Sequence, residues 1–293
     1  MNMLNRLSAD FRSALASTQS VVIRDISARF IQGQSQVVLG LPGVGKSNFA
    51  KLLGTSAGVP YFYASLFSEY PCALTPDSAK SYFQPGQLPA VLDDLGVGVI
   101  DGVLPGMLKR GVRFLAVHPP SFERDYRRVF ADRLPVVYFP APSLAEYAGS
   151  SLLKGLSPNG AAFLFDLTGG NYRLTDDLLH YQFDRSEAVM RAAQRAAVGE
   201  EFTPADLEAL TGWSLFNSRL QNLAVVNFGP DLRTMGSVRV SLEEVASAPA
   251  EVQQRYLRFV RYGLMGLSDD SSALVIRGEL LRNYLFHKCG FKV

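Results

Sequence analysis

The sequence predicts an α/β fold: a parallel sheet flanked by helices, with a run of helices and a small α+β domain behind it. Three observations carry this. A glycine-rich loop at residues 40–47 sits between an apolar strand-like run and an amphipathic helix. Further short apolar runs alternate with helical stretches as far as residue 140, the rhythm of strand–helix units in a parallel sheet. Past residue 250 the rhythm changes to helix, strand, polar turn, strand.

The loop reads Gly40-Leu41-Pro42-Gly43-Val44-Gly45-Lys46-Ser47 and is followed by Asn48. It matches the phosphate-binding pattern G-x-x-x-x-G-K-[ST]. Its glycines permit a tight turn in which successive N–H groups face one hollow the size of a phosphate. Lys46 then reaches the β- and γ-phosphates, and the Ser47 hydroxyl ligates a magnesium ion. The helix that starts here adds the positive end of its dipole. Residues 40–48 are therefore the expected cradle, with ATP and Mg2+ as the expected ligands. Gln36-Val37-Val38-Leu39 leads in as a buried parallel strand should. Residues 48–53 continue as an amphipathic helix, which Gly54 is expected to cap.

Upstream, residues 1–20 read as one amphipathic helix, with Leu4, Leu7, Phe11 and Leu15 at helical spacing. Residues 21–23 and 27–30 suit either flanking a nucleotide pocket, where a base needs apolar walls, or plain packing. Downstream, residues 59–64 form a second strand, and the prolines of 66–87 make that stretch partly loop. Residues 89–95 read as a short helix, opened by Pro89 and ended by Gly96. Val97-Gly98-Val99-Ile100-Asp101 then reads as a strand ending in aspartate. A carboxylate at the carboxyl end of a strand beside the phosphate loop is what a Walker B element needs to hold the magnesium shell. Ala90-Val91-Leu92-Asp93-Asp94 is a competing register; β-propensity favours Asp101. Gly102 follows Asp101 where a glutamate would polarise water, which argues against fast hydrolysis.

A short helix follows at 104–109, then a strand at 112–117 that ends on His118. A polar residue there is placed to sense the γ-phosphate; packing is the plainer reading of a lone histidine. Residues 121–132 are helical, with Arg124, Arg127 and Arg128 expected on a solvated face. Arg133 precedes the strand 136–139 and is the candidate to reach a neighbouring subunit's phosphate.

Composition sets limits. The chain has 293 residues, 47% of them hydrophobic and 19% charged, enough for a sizeable core and about two domains. A net charge of +2 does not announce a nucleic-acid binder, so any such contact would need a local patch. Two cysteines, Cys72 and Cys289, make neither a metal spacing nor a disulfide framework, and a reducing cytoplasm is the expected compartment. There is no signal-peptide pattern and no apolar run long enough to span a bilayer, so no membrane contact is expected.

The order of pieces resembles the AAA+ ATPases, most of all the branch near archaeal-type and STAND ATPases. The phosphate loop, the strands behind it, Ala131-Asp132-Arg133, strand 136–139 and Pro140-Ala141-Pro142-Ser143-Leu144-Ala145-Glu146-Tyr147 carry the likeness. Gly169-Gly170-Asn171-Tyr172-Arg173 is similar to the family's lid signature, and Arg173 matches its sensor 2 position. The resemblance covers roughly residues 20–195. It implies ATP binding, a lid that answers to the γ-phosphate through Arg173, and assembly into homo-oligomers.

Lid helices are expected over 144–153, 159–167, 174–181 and 186–197, with a boundary at Gly199. Thr203-Pro204 opens another helix, with a threonine cap and proline at the first position. A helix at 252–262, a polar turn at 268–272, a strand at 273–276 and a helix at 280–286 make a winged-helix-like pattern. Domains are thus expected at 1–140, 141–199 and 200–293. Arg255, Arg258, Arg261, Arg277, Arg282 and Lys288 are candidates for a DNA-contacting patch, with a protein partner or internal packing as the other readings. Three functions stay open: an ATP-dependent switch or assembly factor, a small-molecule kinase using Asp101, and a nucleotide-binding module that does not hydrolyse.

Overall fold

A computed structural model describes residues 3–63, 89–94 and 97–292. The loop expected over 66–87, the helix end at Gly96 and Cys72 lie outside the described residues. The chain forms two compact units. One comprises Ser20–Gly40 and Gly45–Phe139; the other comprises Met1–Gln19, Leu41–Val44 and Pro140–Val293.

The first unit is built on five parallel strands: β1 (Gln36–Gly40), β2 (Tyr61–Tyr63), β3 (Ala90–Asp93), β4 (Phe114–His118) and β5 (Val136–Phe139). They lie in the order β2-β3-β4-β1-β5. β1, β3 and β4 are buried along their whole length, which is why they read as unbroken apolar runs. The helix Lys46–Ala57 packs on β2, β3 and β4. It runs through Gly54 and is capped at Gly58, whose φ is +64°. Gly54 serves packing instead: a Cβ there would meet the Tyr61 Cβ at 3.4 Å.

Two elements differ from expectation in the stretch that matters most. Residues 89–95 are not helical; Ala90–Asp93 is a central strand, paired with β2 on one side and β4 on the other. The strand expected over 97–101 is instead the helix Val97–Gly102. Val99 and Ile100 are buried while Asp101 and Gly102 face out, a one-sided pattern. Local propensity favoured the valine- and isoleucine-rich run, but burial between two neighbouring strands decides which segment joins a sheet. The N-terminal stretch also differs. A 3₁₀ turn at Met3–Arg6 and the helix Ala9–Ala16 are followed by a separate helix, Gln19–Ile31. Residues 21–23 and 27–30 stand on that last helix, with Val21 facing out and Phe30 buried.

The second unit is mostly helical. Leu144–Ala148, Pro158–Thr168, Tyr172–His180 and Glu187–Val198 are the four helices expected of a lid. Their starts are capped by Ser143, Ser157, Asn171 and Ser186, each accepting a backbone N–H three residues on. Gly199 ends the last with φ +77°, and Thr203 caps Pro204–Gly212. Further on come β6 (Arg239–Ser241), the helices Leu242–Ser247 and Ala250–Arg261, β7 (Met265–Leu267) and β8 (Ala273–Ile276). These strands are antiparallel in the order β6-β8-β7. A Cβ on Gly169 would lie 2.9 Å from the Arg277 carbonyl carbon, so the lid and β8 meet backbone to backbone. Among the described residues no helix is long and apolar enough to cross a membrane.

Candidate functional site

β1 delivers the glycine-rich loop to the carboxyl edge of the sheet. Gly40 ends the strand, where a Cβ would strike the Phe139 carbonyl oxygen at 2.6 Å. Gly45 precedes the helix with φ +97°, a conformation closed to most side chains. Lys46 is the first helical residue and is buried. Gly43, at the crown, has φ +83°.

Sheet order puts β4 between β1 and β3. The β3 carboxylate therefore starts two strand spacings, ~9–10 Å, from the loop's own strand. The helix after the loop closes the gap. The Tyr61 hydroxyl donates to Asp93 Oδ2 at 2.7 Å. Burial raises the Asp93 pKa above the usual carboxylate range, and the Tyr61 and Ser47 hydroxyls and the Lys46 ammonium offset it only in part. Burial and the bond to Asp93 push the Tyr61 hydroxyl well above its ordinary value.

Asp93, not Asp101, therefore ends a strand beside the phosphate loop. Asp101 is 41% exposed on its helix and accepts two bonds from Arg128 Nη2, at 2.9 and 3.0 Å. That is a surface ion pair of little energetic weight. The register that sequence reasoning ranked second is the one the fold uses. Asp94 follows it with φ +54°, its N–H donating to Val117 O at 3.0 Å.

The donor set suits magnesium. Ser47 and Asp93 supply two hard oxygen ligands, with the Ser47 hydroxyl among the groups that favour the charged Asp93 carboxylate. Magnesium typically takes one or two such protein ligands and fills its octahedron with phosphate oxygens and water.

His118 ends β4, paired with Leu39 of β1. It packs against Phe122 and Tyr126, with ring centroids 4.8 and 5.4 Å away. Neither ring nitrogen has a hydrogen-bond partner among the described residues. Burial, and then the Lys46 charge, lower its pKa to about 3, so it is neutral. Arg133 stays close to its own backbone: it donates to the Val129 and Phe130 carbonyls at 3.3 and 3.4 Å. Those are last-turn carbonyls of the helix Glu123–Phe130, which it caps.

In the other unit, Arg173 lies in the first turn of Tyr172–His180 and is exposed. The helix dipole disfavours a cation there, so the position makes electrostatic sense beside an anion. The loop crown belongs to this same unit. A Cβ built on Gly43 would lie 2.9 Å from the Arg173 Cβ and 2.2 Å from Asn171 Oδ1.

The basic residues expected to form a patch are mostly committed within their unit. Arg255 faces Asp231 and Glu251 at 3.9 and 3.7 Å, and Arg258 bonds Asp231. Arg261 faces Asp10 at 3.5 Å. Arg277 donates to Pro142 O and Arg282 to Ile276 O. Lys288 is exposed.

No protein-family model and no curated protein matches the sequence. Solved structures do match over nearly the whole chain. Cdc6p from Pyrobaculum aerophilum aligns at 12% identity and TM-score 0.41, covering 91% of each chain. The ORC2 protein of Aeropyrum pernix aligns at 13% and 0.40, covering 93% of this chain and 94% of its own. The Thermotoga maritima RuvB Holliday junction branch migration motor aligns at 13% and 0.35, covering 94% and 93%. Identities and scores at this level transfer neither activity nor partner. What the chain itself shows is a five-stranded parallel sheet in the order β2-β3-β4-β1-β5, a glycine-rich loop after β1, and a mostly helical second unit.

Proposed function

We propose that the chain is an ATP-dependent switch or assembly factor that turns over slowly. The observation that carries this reading is Asp93, buried at the carboxyl end of β3, where the loop's own Ser47 and Lys46 favour the charged form of its carboxylate. In this reading the N–H groups of 40–48 and Lys46 hold the phosphates, while Ser47 and Asp93 hold the magnesium shell. Asp94 stands where a glutamate would orient water, one methylene shorter, which favours slow hydrolysis. Neutral His118 senses the γ-phosphate, and Arg173 carries its presence to the lid. Arg133, as a helix cap, is available to a neighbouring subunit only if it leaves its own carbonyls.

The kinase reading loses its motive, because Asp101 is paired with Arg128 on a surface helix. A module that binds without hydrolysing remains the second reading, favoured by the short Asp94 side chain. DNA contact through the C-terminal domain is weakly supported, since five of the six candidate basic residues already have internal partners. Packing within the unit accounts for them.

The test is ATP binding by wild type and Lys46→Ala, with phosphate release followed at several protein concentrations. Binding lost in Lys46→Ala supports the reading; equal binding overturns it. Release above background separates the switch from the non-hydrolysing module. Turnover per chain that rises with concentration supports Arg133 acting on a neighbour.

A further inference from the structure

The crown of the phosphate loop, Leu41–Val44, is held by its carbonyls. Pro42 O accepts from Asn171 Nδ2 at 2.8 Å. Gly43 O accepts from the Tyr172 N–H at 2.9 Å. Val44 O accepts from Gln19 Nε2 at 2.8 Å, and the same amide donates to Pro140 O at 2.8 Å. Gln19 and Asn171 are 6% and 5% exposed, so water does not compete for these bonds. Each is anchored in turn. Asn171 Oδ1 accepts from the Leu174 N–H at 3.1 Å and so caps its helix. The Gln19 N–H points at the Glu146 carboxylate, 3.4 Å away, which also accepts from Ser143 N–H at 2.9 Å.

In a planar trans peptide the C=O of one residue and the N–H of the next point in opposite directions. Fixing the carbonyls of 42, 43 and 44 outward therefore turns the N–H groups of Gly43, Val44 and Gly45 to the other side. Those are amides that a phosphate needs. Without the clamps, any one of these peptide planes is free to flip and present an oxygen to the anion.

We propose that Asn171 and Gln19 are positioning residues for nucleotide binding, holding the crown in its anion-facing form. The inference rests on the loop being a nucleotide site.

ADP and ATP are titrated calorimetrically into wild type, Lys46→Ala, Asn171→Ser and Gln19→Leu, well below every unfolding midpoint. Serine still caps the helix, but it is too short to reach Pro42. Asn171→Ser should lose about 5- to 100-fold in affinity for both nucleotides, because Pro42 O loses the donor that holds its peptide plane. Gln19→Leu should weaken both nucleotides over the same range. If wild type binds, Lys46→Ala does not, and both variants bind like wild type, the clamp inference falls and the nucleotide site stands. A lowered midpoint with unchanged affinity means the residues serve stability alone, which also overturns it. Wild type that binds neither nucleotide overturns the site and the clamp together.

Discussion

The carboxyl edge of the parallel sheet and the helix Ala250–Arg261 both carry charge, and they use it in opposite ways. At the sheet, Asp93 is only 2% exposed and its pKa is raised in spite of the Tyr61 hydrogen bond and a nearby ammonium. His118 lies in the same unit with both ring nitrogens unmatched among the described residues. On the helix, Arg255, Arg258 and Arg261 each face a carboxylate of their own unit. Buried titratable groups with perturbed pKa values, gathered beside one loop, point to a functional site. Charge already matched points to architecture. Sequence alone could not tell these cases apart, because both show up as polar residues among apolar ones.

The harshest way to break the contrast is Ser47→Ala. It removes a magnesium ligand, so magnesium-dependent ATP binding should fall by on the order of 100-fold, the upper end of losses seen around metal sites. A titration of magnesium at fixed nucleotide reads it; an unchanged midpoint would show that Ser47 takes no part.

Tyr61→Phe is subtler. It deletes the hydroxyl that holds Asp93 Oδ2 and should raise the magnesium midpoint by about 10-fold. Tyr63→Phe, at an exposed position of the same strand, should leave the midpoint alone.

The pH dependence sharpens the case for His118. Its folded pKa of about 3 lies below the ordinary histidine value of 6.5. Between those values the unfolded chain binds a proton that the folded chain does not, so stability present above pH 6.5 is lost as pH falls toward 3. His118→Asn should flatten that part of the acid limb in urea unfolding series. An identical limb would mean the histidine is not buried neutral. The smallest effect is expected on the other side of the comparison. Arg261→Ala should cost less than about 1 kcal/mol and leave nucleotide affinity unchanged.

What the sequence revealed follows the range of the forces involved. The phosphate loop is local chemistry at fixed spacing, and it lies where it was read. Strand 136–139 and the caps at Thr203 and Gly199 are equally local and match the structure. The Walker B register is not local. It depends on which apolar run is covered by β2 on one side and β4 on the other, and the more strand-like run at 97–101 became a helix. Pro89, read as a helix opener, instead leads into a strand. Gln19 and Tyr61 were invisible for the same reason. Gln19 meets partners 25 and 121 residues away, and Tyr61 meets one 32 residues away.

Magnesium-dependent ATP binding by Asp93→Asn and Asp101→Asn, measured side by side, tests the central assignment most directly. Asp93→Asn should lose most of the magnesium dependence, while Asp101→Asn stays within about twofold of wild type, as a surface pair would. The reverse order would return the metal-holding carboxylate to residue 101 and contradict the site described here.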